Sequence, residues 1–398
     1  MKPFFPRLAA ALALAAALAG CATAPAGLAP PGRGSGDLGL VIERESGSVG
    51  VVDTSARTRL GTVEGLGDLS HASVVYARDG ATAYVFGRDG ALTKVNLLAG
   101  TIDKRVMQAG NSIGGAISTD GTLVVAQNYQ PGGVKVFDAR TLALLADIPA
   151  VVDGQPSRVV GLADIPRNRF IYALFDAGQI WIADLANPAR PVLTKFTNIG
   201  KQPYDALVTP DGRHYIAGLF GEDGLAKIDL WAAEPKVERI LPGYGRGEQP
   251  LPVFKMPHLR GWAVAGRHAW LPAIGRHEVL VVDTDTWQEV ARIPVAGQPV
   301  FVMARPDGRQ VWVNFAVPDY HVVQVIDTQT RRVTASLEPG KAVLHMEFTP
   351  RGDAVWISAR DSHHVSVIDT QSFRTLAVLP AKSPSGIFFT SRAARTGF

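Results

Sequence analysis

Residues 297–337 read GQPVFVMARPDGRQVWVNFAVPDYHVVQVIDTQTRRVTASL, and this stretch decides the fold. It holds four short runs: VFVMA (300–304), QVWVNFA (310–316), VVQVID (322–327) and RRVTASL (331–337). They are rich in β-branched residues, and most alternate apolar with polar. Turn residues bound each run, as antiparallel strands require. Pro306-Asp307-Gly308 predicts a tight turn, because Gly308 can adopt positive φ without steric cost. A loop at Val317–His321 separates the second run from the third. The unit therefore predicts a four-stranded antiparallel sheet.

Reading outward, the acid-terminated third run recurs along the whole chain. GVVD closes at Asp53, TKVN at Asn96, VKVFD at Asp138 and IWIAD at Asp184. AKID follows at Asp229, VLVVD at Asp283, VQVID at Asp327 and VSVID at Asp369. Successive spacings are 43, 42, 46, 45, 54, 44 and 42 residues. A period of 40 to 50 residues with several strands per unit is the signature of a β-propeller. The tight turn recurs as Arg78-Asp79-Gly80, Thr119-Asp120-Gly121, Pro210-Asp211-Gly212 and Pro350-Arg351-Gly352-Asp353. The first repeat opens in mid-unit, with LGLVIER and VGVVD as second and third strands. The last ends on Ile387-Phe388-Phe389-Thr390, a first strand without successors. Pairing the two ends would complete a blade and remove both open edges. The expected fold is thus all-β: an eight-bladed β-propeller closed by a C-terminal strand on N-terminal strands. The 54-residue interval carries an insertion rich in Gly and Pro, WAAEPKVERILPGYGRGEQPLPVFKMPHLRG (231–261), which is expected to serve as a lid.

Ahead of the repeats, Lys2 and Arg7 precede an apolar run from Leu8 to Ala19, too short for a membrane span. Residues 1–20 read as a secretory signal. Leu18-Ala19-Gly20-Cys21 resembles a bacterial lipobox, which would make Cys21 the lipidated first mature residue, tied to a membrane surface without crossing it. By resemblance to other lipoproteins, Ala22 in second place implies the outer membrane's periplasmic face. Cys21 is the only cysteine, so an intramolecular disulfide and a cysteine-ligated cluster are excluded. Residues 21–37, rich in Ala, Pro and Gly, read as a flexible tether, and residues 38–398 as the propeller. The formal charge is +4, or +2 without Lys2 and Arg7, and no basic run interleaves with aromatics. Nucleic acid is not an expected partner.

A propeller gathers two classes of loop at one mouth: fourth strand to next first strand, and second strand to third. The first class includes GLGDLSH (65–71), GQPSR (154–158), KMPHLRG (255–261) and AGQPVF (296–301). The second includes ERESG (43–47), GRDG (87–90), NYQPGG (128–133) and RDSHH (360–364). His71, His258, Arg44, Arg88, Arg158 and Tyr129 should therefore converge on one funnel. Imidazoles among guanidinium groups suit a metal-centred ligand bearing carboxylates: a His can ligate iron axially, and an Arg can grip a carboxylate with two parallel hydrogen bonds. Each also has a structural alternative. His71 can be satisfied by backbone, His258 can pack beside Met256 and Leu259, and the arginines can form salt bridges. His363 and His364, beside Asp361, can simply be solvated. Composition and spacing alone do not favour haem over other anionic ligands.

FKMPHLRGW (254–262), LPAIGRHEVLVVD (271–283) and GQPVFVMARPDGRQVWVNFA (297–316) resemble the NirF proteins of haem d1 biosynthesis. These are kin to the d1-binding propeller of cytochrome cd1 nitrite reductase, and the likeness spans essentially the mature chain. It implies a periplasmic protein that binds haem d1 or its late precursor dihydro-haem d1. By that resemblance His71, which precedes Gly87-Arg88-Asp89-Gly90 at nearly the reductase's interval, matches the proximal iron ligand. Arg88 and Arg44 match carboxylate-binding arginines, and Arg158 and Tyr129 occupy comparable loops. His258 resembles one of two distal histidines, in a proton-handling role. The second has no counterpart in Gly297–Phe301, which argues against nitrite reduction, as does the absence of Cys-x-x-Cys-His for a covalent haem c. The implied partners are the haem d1 precursor, nitrite reductase and other d1-maturation proteins.

Three functions stay open on sequence. The chain can bind and tailor the tetrapyrrole as an oxidoreductase, or hold it and hand it on. It can be a non-catalytic scaffold docking the reductase and its maturation partners. A hydrolase or lactonase propeller is the third, but its usual carboxylate cluster is replaced by arginine and histidine, and H-E-x-x-H does not occur.

Overall fold

The acid that closes each repeat is a turn-former. In the computed structural model, which describes residue 28 and residues 33–244, 262–273 and 276–395, all eight side chains accept a backbone N–H two or three residues on. Asp53 takes that of Ala56, Asn96 of Ala99, Asp138 of Thr141 and Asp184 of Ala186. Asp229 takes that of Trp231, Asp283 of Thr286, Asp327 of Thr330 and Asp369 of Ser372. The side chain mimics a backbone turn and starts the reversal into the fourth strand. A second local bond, from the residue four positions on to the acid's own carbonyl, closes most of these turns.

Eight four-stranded antiparallel sheets result. Blade two is typical: Ser73–Tyr76, Thr82–Phe86, Ala91–Asn96 and Thr101–Met107, from axis to rim. Blades three to five begin with Asn111–Ile117, Val159–Ile165 and Pro203–Val208, and blades six to eight with Ala263–Ala265, Pro299–Ala304 and Val343–Phe348. The second and third strands are buried on both faces between blades, whereas fourth strands such as Thr375–Pro380 are largely exposed. Trp270, Trp312 and Trp356 fill one wedge each, always at the third position of a second strand. Burying such a ring contributes about 1.5–3 kcal/mol.

Blade one is composite. Pro384–Phe389 forms its innermost strand and pairs antiparallel with Leu38–Glu43, Gly39 facing Phe389 and Val41 facing Ile387. Ser48–Asp53 and Thr58–Val63 complete it, so the ring closes as the sequence predicted. Within the 231–261 insertion, Val237–Ile240 is the regular fourth strand of blade five. Residues 231–244 of the insertion expected to serve as a lid are thus a turn, this strand and the segment after it, while residues 245–261, with His258, lie outside the described residues.

One buried histidine supports the closure. On blade eight, His345 Nδ1 accepts the Ile387 N–H at 3.2 Å, and its ring stacks on Phe388 with centroids 5.6 Å apart. Burial pushes its pKa down to about 4, with Glu347 opposing the shift and Arg392 reinforcing it. The folded chain thus binds its proton later than the unfolded chain as pH falls. Stability should be intact above pH 6.5 and decline between about 6.5 and 4, by up to about 3 kcal/mol. Urea melts across that range should show the decline in the wild type and lose most of it in His345→Asn.

Candidate functional site

Second-to-third turns and between-blade connections meet by backbone hydrogen bonds at one end of the disc. Leu66 N–H reaches Gly47 O, Arg88 N–H reaches Asp68 O at 2.8 Å, Phe175 N–H reaches Arg158 O, and Arg360 N–H reaches Ala342 O. That end is the mouth. Arg44, His71, Arg88, Tyr129 and Arg158 all belong to it, contributed by blades one to four and their connections. His71 is exposed, three residues beyond Asp68 and two before the innermost strand of blade two.

An aromatic wall continues the arc. Tyr129 and Tyr204 pack against the same apolar cluster, and each perturbs the other's titration. Their blades, three and five, are not neighbours, so this pair lies near the axis, where blades converge. Phe175, Tyr204 and Phe220 pack with ring centroids 5.9–6.1 Å apart. The Arg88 guanidinium lies 5.7 Å from the Tyr129 ring centroid, and that of Arg158 lies 4.1 Å over Phe175. Burial raises both tyrosine pKa values, so the phenols stay protonated donors at neutral pH.

The cations differ in their commitments. Arg158 is exposed and held by Asp176, through Nε at 3.1 Å and Nη2 at 2.5 Å, so the salt-bridge alternative holds for this residue. Arg360 is likewise held by Asp361, Nε to Oδ1 at 2.6 Å. Arg44 and Arg88 are half-buried, and among the described residues neither joins an ion pair. Burial depresses the Arg44 pKa, and the positive charge of Arg360 adds to the effect. Asp68 faces both arginines. Hydrogen bonds from Ser70 chiefly keep its carboxyl below the usual range, with Arg88 and Arg44 assisting. Two half-buried guanidinium groups that face Asp68 but join no ion pair among the described residues are suited to a further anion that completes them.

Sequence reasoning missed Tyr204, Phe175, Phe220, Asp68 and Arg360. Phe175 and Phe220 carried a usable signal: each follows a leucine at the end of a second strand, as Leu174-Phe175 and Leu219-Phe220. His364 is structural, its ring nitrogens lying 3.1 Å from Ser362 O and 2.8 Å from Pro339 O. His363 Nδ1 accepts the Ser383 N–H at 3.2 Å. Among the described residues no three His, Cys, Asp or Glu side chains gather as a metal site.

Fold and mouth together define a class, the propeller of the cytochrome d1 haem domain, whose family matches residues 33–393. Within that class the chain belongs to the NirF family. It is 62% identical over 370 residues to protein NirF of Stutzerimonas stutzeri, covering 92% of this chain and 95% of that one. Protein NirF of Pseudomonas aeruginosa is 60% identical over 383 residues, 96% of each chain. Among solved structures, the dihydro-haem d1 dehydrogenase NirN in complex with DHE superposes with a TM-score of 0.80 at 26% identity, covering 92% of this chain and 78% of that chain.

Proposed function

We propose that this protein acts in haem d1 biosynthesis by binding haem d1 or dihydro-haem d1 across the mouth. The observation that carries the reading is the pair of half-buried guanidinium groups, Arg44 and Arg88, unpaired among the described residues beside an aromatic wall. A flat macrocycle with carboxylate side chains fits both halves of that arrangement: its acids complete the cations, and its ring packs against Tyr204, Phe175 and Phe220. The iron tetrapyrrole would supply the redox chemistry. For the chain's own part, His71 would offer an imidazole nitrogen from the blade-two side. Arg44 and Arg88 would fix orientation through the carboxylates, with the outward face of Arg158 assisting. Tyr129 would donate from the wall. His258 would manage protons if a tailoring step occurs.

The same reading makes the protein a periplasmic lipoprotein anchored through Cys21 to the outer membrane, by the lipobox and Ala22, that passes the finished group toward nitrite reductase maturation. Titrating apo-protein with haem d1 or dihydro-haem d1 should give saturable Soret changes, and His71→Ala should alter the ligand-field bands while retaining binding. Unchanged spectra at micromolar ligand would leave the scaffold function standing instead. Analysis of the tetrapyrrole recovered after incubation then separates an enzyme from a carrier.

A further inference from the structure

The connection from blade one to blade two, residues 64–72, is wedged at the mouth between two turns. On one side Leu66 N–H donates to Gly47 O at 3.0 Å, in the turn that carries Arg44. On the other, Arg88 N–H donates to Asp68 O at 2.8 Å. Two glycines permit the fit: a Cβ at Gly47 would collide with Gly67 O, and one at Gly67 with the Asp89 carboxylate. Asp68 is thus fixed between the half-buried Arg44 and Arg88, with its own side chain exposed. Ser70 N–H donates to Asp68 Oδ1 at 2.8 Å, a local turn that orients the carboxylate. Neighbouring acids are committed elsewhere. Asp89 is held by Arg105 at 2.6 Å, Glu43 by Arg59 at 2.8 Å and Asp361 by Arg360 at 2.6 Å. Asp68 joins no ion pair among the described residues, yet its charge reaches both Arg88 and Arg44, which help to keep it ionised.

We infer that Asp68 is a release carboxylate: it balances part of the charge of Arg44 and Arg88, and it opposes the ligand's own carboxylates when they reach those arginines. The inference rests on the reading of the mouth as a tetrapyrrole site and adds a built-in limit on its affinity. Like charges gathered around the same guanidinium groups repel, so the bound state carries a cost that a neutral side chain at position 68 would not impose. Differences in affinity at one site fall chiefly on the dissociation rate. Asp68 therefore shortens the stay of an anionic ligand while leaving the arginines to orient it. That behaviour suits a group that is held briefly and passed on, and it discriminates by charge: a ligand without carboxylates escapes the effect.

The test titrates the full chain as wild type, Asp68→Asn and Asp68→Glu with dihydro-haem d1 and, separately, with its methyl ester. Soret absorbance gives the affinity, and stopped-flow dilution gives the dissociation rate. Asparagine keeps an oxygen for the Ser70 N–H, so the local turn survives the change. The expected result is that Asp68→Asn binds the free acid about 3–10-fold tighter and releases it more slowly, a gain that shrinks at high salt. Asp68→Glu, which keeps the charge, should stay within about 2-fold of wild type. The ester brings no carboxylate charge and should bind wild type and Asp68→Asn alike. Unchanged or weaker binding of the free acid by Asp68→Asn would overturn the inference, as would an equal gain with the ester or in Asp68→Glu. No saturable binding by the wild type would instead remove the tetrapyrrole reading itself, and the role of Asp68 with it.

Discussion

Replacing Arg44 and Arg88 together by alanine is expected to weaken tetrapyrrole binding by about 100-fold or more, and either replacement alone by about 10–100-fold. Each guanidinium would make a charge-assisted hydrogen-bond pair with a carboxylate, about 1.5–3 kcal/mol, and each 1.4 kcal/mol is a factor of ten. Both flank Asp68, so a double-mutant cycle should show coupling rather than simple addition. Lysine at either position should recover only part of the loss, because it keeps the charge without the planar fork. The apo-protein should be no less stable for losing Arg44, whose charged form burial and Arg360 both disfavour. Absorbance titrations paired with melting curves check both halves. An unchanged Kd in the double variant would remove the arginines from the binding account.

Arg392→Ala should be among the most destabilising single changes, at about 3–5 kcal/mol. Glu347 is 4% exposed, and Arg392 Nε holds its Oε1 at 2.8 Å with a second contact from Nη2. Removing the arginine strands a buried carboxylate, which costs far more than an exposed pair would. The same guanidinium lies 5.0 Å over Phe388 on the closing strand, whose carbonyl accepts the Tyr76 hydroxyl at 2.6 Å. The effect should therefore appear as loosening of the blade-one closure. Urea denaturation measures it, and Glu347→Gln combined with Arg392→Met should recover much of the loss. A single-variant cost under about 1 kcal/mol would show that the pair does not hold the ring.

The ring was legible because its cues are local. The acid that ends each third strand makes its turn with residues two or three positions away, so a periodic letter reports a periodic hydrogen bond. Closure was legible because each chain end lacked the strands that the other supplied. The convergence of Arg44, Arg88, Tyr129 and Arg158 followed from blade topology alone. What topology could not give was which cations are already neutralised: Asp176 holds Arg158 from eighteen residues away, whereas nothing in sequence marks Arg44 and Arg88 as joining no ion pair among the described residues. The aromatic wall stayed hidden because Phe175 and Phe220 at strand ends look like core residues.

The mouth combines cost and use in one place. Half-burying Arg44 near Arg360 is unfavourable for its charge, and a dianionic or polyanionic ligand would relieve it. Locating the iron by anomalous scattering, in crystals grown with dihydro-haem d1, tests this claim most directly. The account predicts one iron peak at the mouth within coordinating distance of His71, with ligand carboxylates on Arg44 and Arg88. An iron on the opposite face, or a macrocycle whose carboxylates avoid both arginines, would contradict it.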